Sequence, residues 1–261
     1  MESSHGKWAL ITGASSGFGA EYAKLLAQWK ANLVLVARRT EPMNELAETL
    51  RHEHGVQIVV IGLDLSRAGA AAQLKADLDS RGIAIDVLVN NAGYGMSGSF
   101  LDQPMEKIAD MMQLNMMTLT ELTHAFGRDM AKRGGGRILL MASLLAYQAV
   151  PGYAAYAASK AYVLLLGEAL HEELAPRGVT VTTLCPGISA TSFSEVAGQK
   201  LSPIIKMLMM EPKPVVKAGI RAMWARKAGV VPGILNKATV FLDRLMPRSM
   251  QRIVLGKIMA G

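Results

Sequence analysis

The sequence predicts an α/β fold: one doubly wound domain with a parallel sheet, spanning residues 1–261, in which residues 192–261 form a helical C-terminal extension. Short apolar runs alternate with segments of helical period up to about residue 190, which favours a parallel sheet covered by helices. A glycine-rich turn joins the first apolar run to the first helix-like segment. The candidate polar residues fall where strands end, and sheets of this kind bind ligands there. With 261 residues, 51% of them hydrophobic, the chain can bury one large core.

The first strand-like run, residues 7–11, leads into the glycine-rich turn at residues 12–19 and then into a helical pattern. This is the context that a dinucleotide-binding loop needs, although many glycine-rich turns are plain loops. Gly13 would allow the tight turn, Gly17 would let the backbone approach a pyrophosphate, and Gly19 would let the helix pack closely. Free N–H groups at the start of the helix would bind phosphate. The predicted cofactor-binding residues here are Gly13, Ser15, Ser16, Gly17, Phe18 and Gly19.

The second strand-like run, residues 32–37, ends in a neutral residue followed by two cations. A carboxylate commonly ends this strand when the ligand is NAD, because it accepts from the ribose hydroxyls. Here that position is Ala37, followed by Arg38 and Arg39. A guanidinium suits a phosphate, so these residues predict a ribose 2′-phosphate and therefore NADP(H) as the cofactor. The alternative is two solvated arginines on the surface.

Two more strands are predicted, at residues 57–61 and 86–90. After the first, Asp64 either accepts from the amino group of adenine or caps a local turn, and Leu65 beside it belongs to the predicted cofactor site. Ser66 is predicted to cap the next helix. After the second strand, the small residues Asn91, Ala92 and Gly93 would let a cofactor lie across the strand end.

A long helical region is predicted from Pro104 to about Lys132, with Asn115 inside it among methionines. An amide in such apolar surroundings needs hydrogen-bond partners. Asn115 either holds a water or backbone group that continues a proton path, or is a satisfied structural residue. The methionines favour core packing over cofactor contacts.

A candidate catalytic group follows the next strand. It consists of Ser143, Tyr156 and Lys160. Among the six tyrosines, Tyr156 alone has a lysine four residues on, so the two share a helix face. A nearby ammonium lowers the pKa of a phenol, which would make Tyr156 a usable acid or base. Ser143, at a strand end, would hold the substrate oxygen. A chance Tyr–Lys pair on one helix face is the alternative.

The last strand of this series is predicted at residues 179–184 and is followed by a turn that contains Pro186, Gly187, Ile188 and Thr191. Cys185 lies between them, and we interpret it as a small buried side chain.

These motifs, in this order and spacing from about residue 6 to 195, resemble the short-chain dehydrogenase/reductases. The resemblance implies a Rossmann-type fold with Asn115, Ser143, Tyr156 and Lys160 as a catalytic tetrad. It implies Tyr156 as acid/base, Ser143 as orienter of the substrate oxygen and Lys160 as a ligand of the nicotinamide ribose. Asn115 would support a water relay, and Thr191 is similar to the residue near the nicotinamide carboxamide. The chain is also similar to bacterial NADP-dependent ketone and 3-oxoacyl reductases.

The leading hypothesis is therefore an NADP(H)-dependent oxidoreductase that acts on a lipophilic carbonyl or secondary alcohol. Apolar residues near the predicted site could line a pocket, although each could equally be core: Phe100, Leu144, Leu145, Val150, Tyr153, Ile188 and Phe193. The alternative is a catalytically silent nucleotide-sensing or scaffold protein on the same fold.

Composition limits the remaining classes. A single Cys excludes an internal disulfide, and no signal peptide or transmembrane run is evident, so we expect a cytoplasmic protein. We expect no metal site and no nucleic-acid partner, because no recognised module is present. The resemblance implies a homodimer or homotetramer.

The basic charge belongs to the C-terminal part of the chain. Residues 200–261 carry 12 Lys and Arg against two acids, a net charge of +10, whereas the preceding residues carry 16 against 19, a net of −3. Apolar and basic residues recur at helical spacing after residue 240. This pattern favours an apolar face packed over the substrate pocket; a basic helix lying on an anionic membrane, or attraction of an acidic substrate carrier, are the other hypotheses.

Overall fold

The protein forms one parallel sheet of seven strands in the order β3-β2-β1-β4-β5-β6-β7, so the predicted fold class is confirmed. The computed structural model describes residues 5–189 and 209–253. Thr191 and Phe193, and the apolar residues after Ile253, lie outside this part. The strands are β1 (Trp8–Thr12), β2 (Asn32–Ala37), β3 (Ile58–Gly62), β4 (Ile85–Asn90), β5 (Gly136–Met141), β6 (Val179–Leu184) and β7 (Gly229–Val230).

Helices connect the strands and cover both faces of the sheet. In the described part of the chain they are α1 (Gly17–Gln28), α2 (Glu41–His54), α3 (Ala70–Ser80), α4 (Met105–Met112), α5 (Leu119–Lys132), α6 (Ala154–Leu174), α7 (Pro212–Trp224) and α8 (Ile234–Leu245). A π-helical turn, Gln113–Thr118, joins α4 to α5. One core lies between the sheet and α1, α2 and α7, and the other between the sheet and α3, α5 and α6. The strands are apolar on both sides because both faces are buried.

The extension completes the sheet. Its strand β7 pairs with β6 through Gly229 and Val230, a two-residue pairing that the sequence analysis did not predict. The proposed cap at Ser66 is wrong: α3 begins after Gly69, and the Ser66 amide and hydroxyl instead donate to the Asp64 carboxylate at 3.0 and 2.7 Å. In residues 5–189 and 209–253, no helix is long and apolar enough to cross a membrane, and no three acidic, His or Cys side chains form a metal-binding group.

The strand order reverses between β1 and β4, which lie side by side in the middle of the sheet. Chain connections leave these two strands toward opposite faces. A crevice therefore opens beyond their carboxyl ends, where doubly wound sheets bind ligands.

Candidate active site

The glycine-rich turn brings α1 close to the end of β1. Gly13 has φ +68°, and a Cβ there would lie 2.9 Å from the Asn91 amide nitrogen. At Gly19 a Cβ would lie 2.2 Å from the carbonyl oxygen of Gly13, so no side chain fits between the helix and the turn. Gly17 opens the helix with φ +55°. Of the other predicted residues, Ser15 and Ser16 lie in this turn, and Phe18 packs against the core beneath α1.

Thr12 joins this turn to the end of β4. Its hydroxyl oxygen accepts from the backbone N–H groups of Asn91 and Ala92, at 3.0 and 2.9 Å. The Asn91 amide donates to the Thr12 carbonyl at 2.9 Å. These bonds link residues about 80 positions apart, so the sequence analysis missed Thr12, although a Thr at the end of a buried strand was a signal.

Arg38 is exposed and follows β2 directly. The pKa of Asp64 is lowered: burial opposes the shift, but hydrogen bonds from Ser66 and the charges of Arg38 and Arg67 outweigh it. The Asp64 carboxylate does cap a local turn, as one of the two hypotheses held, and it also lies within the field of Arg38. Arg39 is exposed as well. The side chain of Leu65 is buried in the core, and its carbonyl oxygen accepts from the Thr118 hydroxyl at 2.8 Å.

Asn115 lies in the π-helical turn and is fully buried. Its amide oxygen accepts from the Tyr94 N–H at 3.2 Å, and its nitrogen donates to the Tyr94 carbonyl at 3.0 Å and to the Ser159 hydroxyl at 3.2 Å. Asn115 thus has the partners that a buried amide requires, and these contacts agree with both hypotheses, a hold on a backbone group and a satisfied structural residue. π-Helical turns are frequent at functional sites because they re-aim one side chain.

Gly93 lies between Asn115 and Lys160. A Cβ at Gly93 would be 2.8 Å from the Asn115 amide oxygen and 3.4 Å from the Lys160 ammonium nitrogen. The bare backbone after β4 therefore runs directly past both side chains. The sequence pattern did not predict Tyr94 and Ser159 as the partners that hold Asn115.

Tyr156 and Lys160 share one face of α6, and Ser143 lies opposite them. The hydroxyl groups of Ser143 and Tyr156 are hydrogen-bonded to each other. Lys160 is buried, donates to the Met141 carbonyl at 2.8 Å, and lies 5.8 Å from the centre of the Tyr156 ring. The structure thus brings Asn115, Ser143, Tyr156 and Lys160 together beyond the ends of β4 and β5.

The pKa of Tyr156 differs from the sequence-based expectation that Lys160 would lower it. Burial raises the pKa of Tyr156, and the hydrogen bond with Ser143 opposes this only in part. Burial likewise lowers the pKa of Lys160 to about 8. The pKa of Tyr156 is therefore raised despite the nearby ammonium, because burial outweighs the attraction and the ammonium donates to the Met141 carbonyl oxygen.

Cys185 is buried in the core, as expected, and is hydrogen-bonded to Tyr147. Burial raises the pKa of its thiol to about 12, so the thiol stays protonated at neutral pH. This agrees with a packing role.

An apolar cluster surrounds Tyr156. Its buried members are Met111, Val150, Tyr153 and Tyr156, with Leu145, Tyr94 and Met96 packed against them. Three of the predicted pocket residues, Leu145, Val150 and Tyr153, therefore do lie beside Tyr156. Leu144 and Ile188 are half-buried, whereas Phe100 is more than half exposed and is not a member of this cluster.

The turn after β6 completes the edge of the site. The Pro186 carbonyl accepts from the Leu144 N–H at 2.8 Å, next to Ser143, and the Ile188 carbonyl accepts from the Met210 N–H at 3.0 Å. A Cβ at Gly187 would lie 2.6 Å from the amide of Asn236 in α8. Helix α8 thus begins against this turn.

Comparison with known proteins agrees with this geometry. The sequence profile described as short chain dehydrogenase matches residues 7–202. Ketoacyl reductase HetN from Nostoc sp. is 30% identical over 258 residues, which cover 95% of this chain and 88% of that protein. A short-chain dehydrogenase from Sphingobium yanoikuyae in complex with NADPH is 32% identical and superimposes with a TM-score of 0.81, covering 93% of this chain and 97% of that one.

Two further solved structures are similar. The bulky-bulky ketone specific alcohol dehydrogenase from Comamonas testosteroni is 31% identical, with a TM-score of 0.77 over 93% of this chain and 96% of that one. A short-chain dehydrogenase/reductase from Burkholderia phymatum in complex with NAD is 25% identical, with a TM-score of 0.83 over 97% of each chain. Similar folds therefore occur with both nicotinamide cofactors.

Proposed function

The chain belongs to the short-chain dehydrogenases and is a carbonyl/alcohol oxidoreductase, and we propose that it uses NADP(H) and reduces a lipophilic ketone or 3-oxoacyl chain. The hydrogen-bonded pair of Ser143 and Tyr156, with Lys160 buried beside the ring, is the observation that carries this proposal. A silent sensor or scaffold would have no need to retain this group complete, so the catalytic hypothesis is favoured.

The residues at the strand ends fit a dinucleotide. The turn has no room for a side chain at Gly13 or Gly19. Helix α1 begins in this turn, and the first N–H groups of a helix, which have no partner within it, suit a pyrophosphate. Arg38 would bind the 2′-phosphate, and Lys160 would bind the nicotinamide ribose. The remaining cofactor contacts that we propose come from Asn91, Ala92 and Gly93 after β4 and from the turn after β6. When bound, the nicotinamide supplies or accepts the hydride at the substrate carbon.

The protein groups would handle the oxygen and its proton. Ser143 and Tyr156 present two hydroxyls to one point, where a carbonyl oxygen could accept from both. The raised pKa keeps the Tyr156 phenol protonated at neutral pH, which is the form that a reduction consumes. The nearby Lys160 cation would then stabilise the phenolate that remains. Asn115, held by Tyr94 and Ser159, would fix the backbone beside Lys160 and support a water relay.

Substitution of Tyr156 tests the catalytic assignment. Tyr156→Phe should lower turnover of a ketone with NADPH by about 10²- to 10⁴-fold, the usual contribution of a positioned acid. Its dissociation constant for NADPH should stay within a few fold. Tyr162→Phe is the matched control, because Tyr162 lies on the same helix and hydrogen-bonds to Thr120, away from the site. Turnover near that of the unmodified protein in Tyr156→Phe would remove Tyr156 from the mechanism.

Cofactor choice rests on the neutral Ala37 and on Arg38. NADPH should bind more tightly than NADH by about 1.5–3 kcal/mol, the range for one charge-assisted contact with the 2′-phosphate. Arg38→Ala, alone and with Ala37→Asp, should narrow or reverse this preference in a fluorescence titration, whereas Arg177→Ala should not. Equal dissociation constants for the two cofactors in the unmodified protein would contradict the assignment of Arg38.

Two features suggest the substrate class. The apolar cluster beside Tyr156 supports a lipophilic ketone or acyl chain, and so do the similarities to a ketoacyl reductase from Nostoc and to a bulky-ketone alcohol dehydrogenase from Comamonas. A cytoplasmic location and a homodimer or homotetramer stay predictions.

A further inference from the structure

Helix α8 turns two polar side chains, Asn236 and Asp243, toward the rest of the protein. The Asn236 amide lies against Gly187 and donates to the Pro232 carbonyl at 2.8 Å. The Asp243 carboxylate, seven residues and two turns further, accepts from the Gln148 side chain at 2.6 Å. Val240 is the one large apolar side chain that this helix buries. The Gln148–Asp243 hydrogen bond and the packing of Asn236 against Gly187 therefore determine which face of α8 meets the protein.

The large apolar side chains of α8 point the other way. At 100° per residue they fall in one sector, opposite Asn236 and Asp243. Their exposed fractions run from 57% to 86%. The sequence analysis favoured an apolar face packed over the pocket, and this is wrong for α8, because the polar contacts turn that face outward. We call the residues of this sector the outer face of α8: Ile234, Leu235, Phe241, Leu242 and Leu245.

The charges at the border of the outer face all have one sign. Lys237 and Arg244 are exposed and lie along one side of the apolar sector. Asp243, the single acid of α8, is turned inward. The helical residues 248–253 continue the pattern, with Met250 and Ile253 more than half exposed beside Arg248 and Arg252. The outer face is therefore apolar and bordered by cations, and the one acid of α8 does not lie on it.

We propose that the outer face of α8 docks on an anionic lipid surface, with its apolar side chains among the acyl chains and its cations at the headgroups. An exposed apolar sector with basic residues at its border is the pattern of helices that lie in the membrane interface. A second copy of the chain suits this face less well, because a two-fold contact brings the same cations near one another. A partner protein would have to supply acids around an apolar groove.

Docking has a consequence for the site. Helix α8 begins against Gly187 and also contacts the turn Leu144–Tyr147 that follows Ser143. The carboxyl edge of the sheet would then face the lipid, so a lipophilic substrate could pass from the bilayer to Tyr156. This consequence rests on the proposed function, whereas docking itself does not.

Vesicle co-sedimentation tests the proposal without any turnover. The full chain is mixed with phosphatidylcholine vesicles, with or without phosphatidylglycerol, at low and at high salt. It should pellet with the anionic vesicles at low salt and be released as salt screens the cations. Phe241→Ser with Leu245→Ser should weaken the binding at least about tenfold. Lys237→Gln with Arg244→Gln should weaken it about 30-fold, since each cation near an anionic surface contributes about fivefold.

Matched controls separate docking from a general loss of folding. Met117→Ser with Leu165→Ser removes exposed apolar side chains from other helices, and Lys132→Gln with Arg177→Gln removes cations elsewhere, so both should bind like the unmodified protein. All variants should keep NADPH oxidation with a water-soluble ketone, which tests the proposed function separately. Absence of binding to anionic vesicles at low salt, or equal binding to neutral ones, would overturn the proposal. The proposal would also be overturned if the protein did not bind vesicles but self-associated in solution, and if Phe241→Ser with Leu245→Ser abolished that self-association. A second copy of the chain would then cover the outer face of α8.

Discussion

Lys160 combines deep burial with a charge, and its titration should be visible in the stability of the protein. Burial lowers its pKa from 10.5 to about 8 in the folded chain, although it is held by the Met141 carbonyl at 2.8 Å. Between these two pH values the unfolded chain binds a proton that the folded chain has lost. The free energy of unfolding therefore rises with pH in this window, by about 1.4 kcal/mol per pH unit and about 3 kcal/mol in all. Below pH 8 both states carry the proton, and above pH 10.5 neither does, so this contribution is flat outside the window.

The substitution Lys160→Met removes this titration and keeps a side chain of similar length. Urea unfolding of both proteins at pH 7, 8, 9 and 10 gives the difference in their free energies of unfolding. This difference should stay constant up to about pH 8. Above pH 8 the free energy of unfolding of the unmodified protein should rise relative to that of Lys160→Met, by about 3 kcal/mol at pH 10. Tyr156 and Cys185, whose pKa values burial raises, make stability fall at high pH, but both proteins contain them and the effect cancels.

A difference that is the same at every pH from 7 to 10 would refute this reasoning. It would mean that the pKa of Lys160 is the same in the folded and the unfolded chain. Contact with water or with a negatively charged group would then keep its ammonium charged in the folded protein. The supposed environment of the Tyr156 ring would then be wrong as well, because one buried region surrounds both side chains.

The remaining predictions concern backbone space and the Asn115 hydrogen bonds. Gly19→Ala should destabilise the fold by about 1–3 kcal/mol in urea unfolding and weaken NADPH binding at least about tenfold, because its Cβ would lie 2.2 Å from the Gly13 carbonyl oxygen and α1 would have to move. Gly229→Ala is the control, with 3.4 Å to the nearest atom, and unchanged NADPH binding in Gly19→Ala would contradict the close packing. Asn115→Ala should cost about 2 kcal/mol or more and lower turnover, because the Tyr94 backbone groups and the buried Ser159 hydroxyl lose this partner. An Asn115→Ala variant as stable and active as the unmodified protein would show that these bonds are dispensable.

The sequence predicted the parts of the site that local geometry determines. The spacing of Gly13 and Gly19 follows from one turn, and the spacing of Tyr156 and Lys160 follows from one helix, so both could be recognised without knowing the fold. Thr12 and Tyr94 act through bonds to residues about 80 and 21 positions away. The pairing of β1 with β4 brings Thr12 to its partners, and the π-helical turn aims Asn115 at Tyr94. Ser66 failed as a helix cap because Asp64 attracts its amide and hydroxyl, and the chain needs Gly69 before α3 can begin.

The pKa of Tyr156 shows a second kind of limit. Proximity to Lys160 could be predicted from the sequence, and proximity alone lowers the pKa of a phenol. Burial acts in the opposite direction, and its extent depends on how Met111, Val150 and Tyr153 pack around the ring. The sign of the shift is therefore set by packing between distant segments, which spacing does not reveal.

The two helices of the extension show why an amphipathic pattern does not by itself say which face is buried. Helix α7 buries its apolar face, since Gly219 lets it approach Tyr22 and Leu184 closely and Val215, Ile220 and Met223 complete the contact. Helix α8 has a comparable pattern, yet its half-buried Asp243 accepts from Gln148 and its Asn236 packs against Gly187. A carboxylate that is partly withdrawn from water needs such a partner, so these polar contacts determine the orientation of α8. The apolar side chains are left outside at the edge where the site opens, which is the arrangement that a membrane-docked enzyme for lipophilic carbonyls would need.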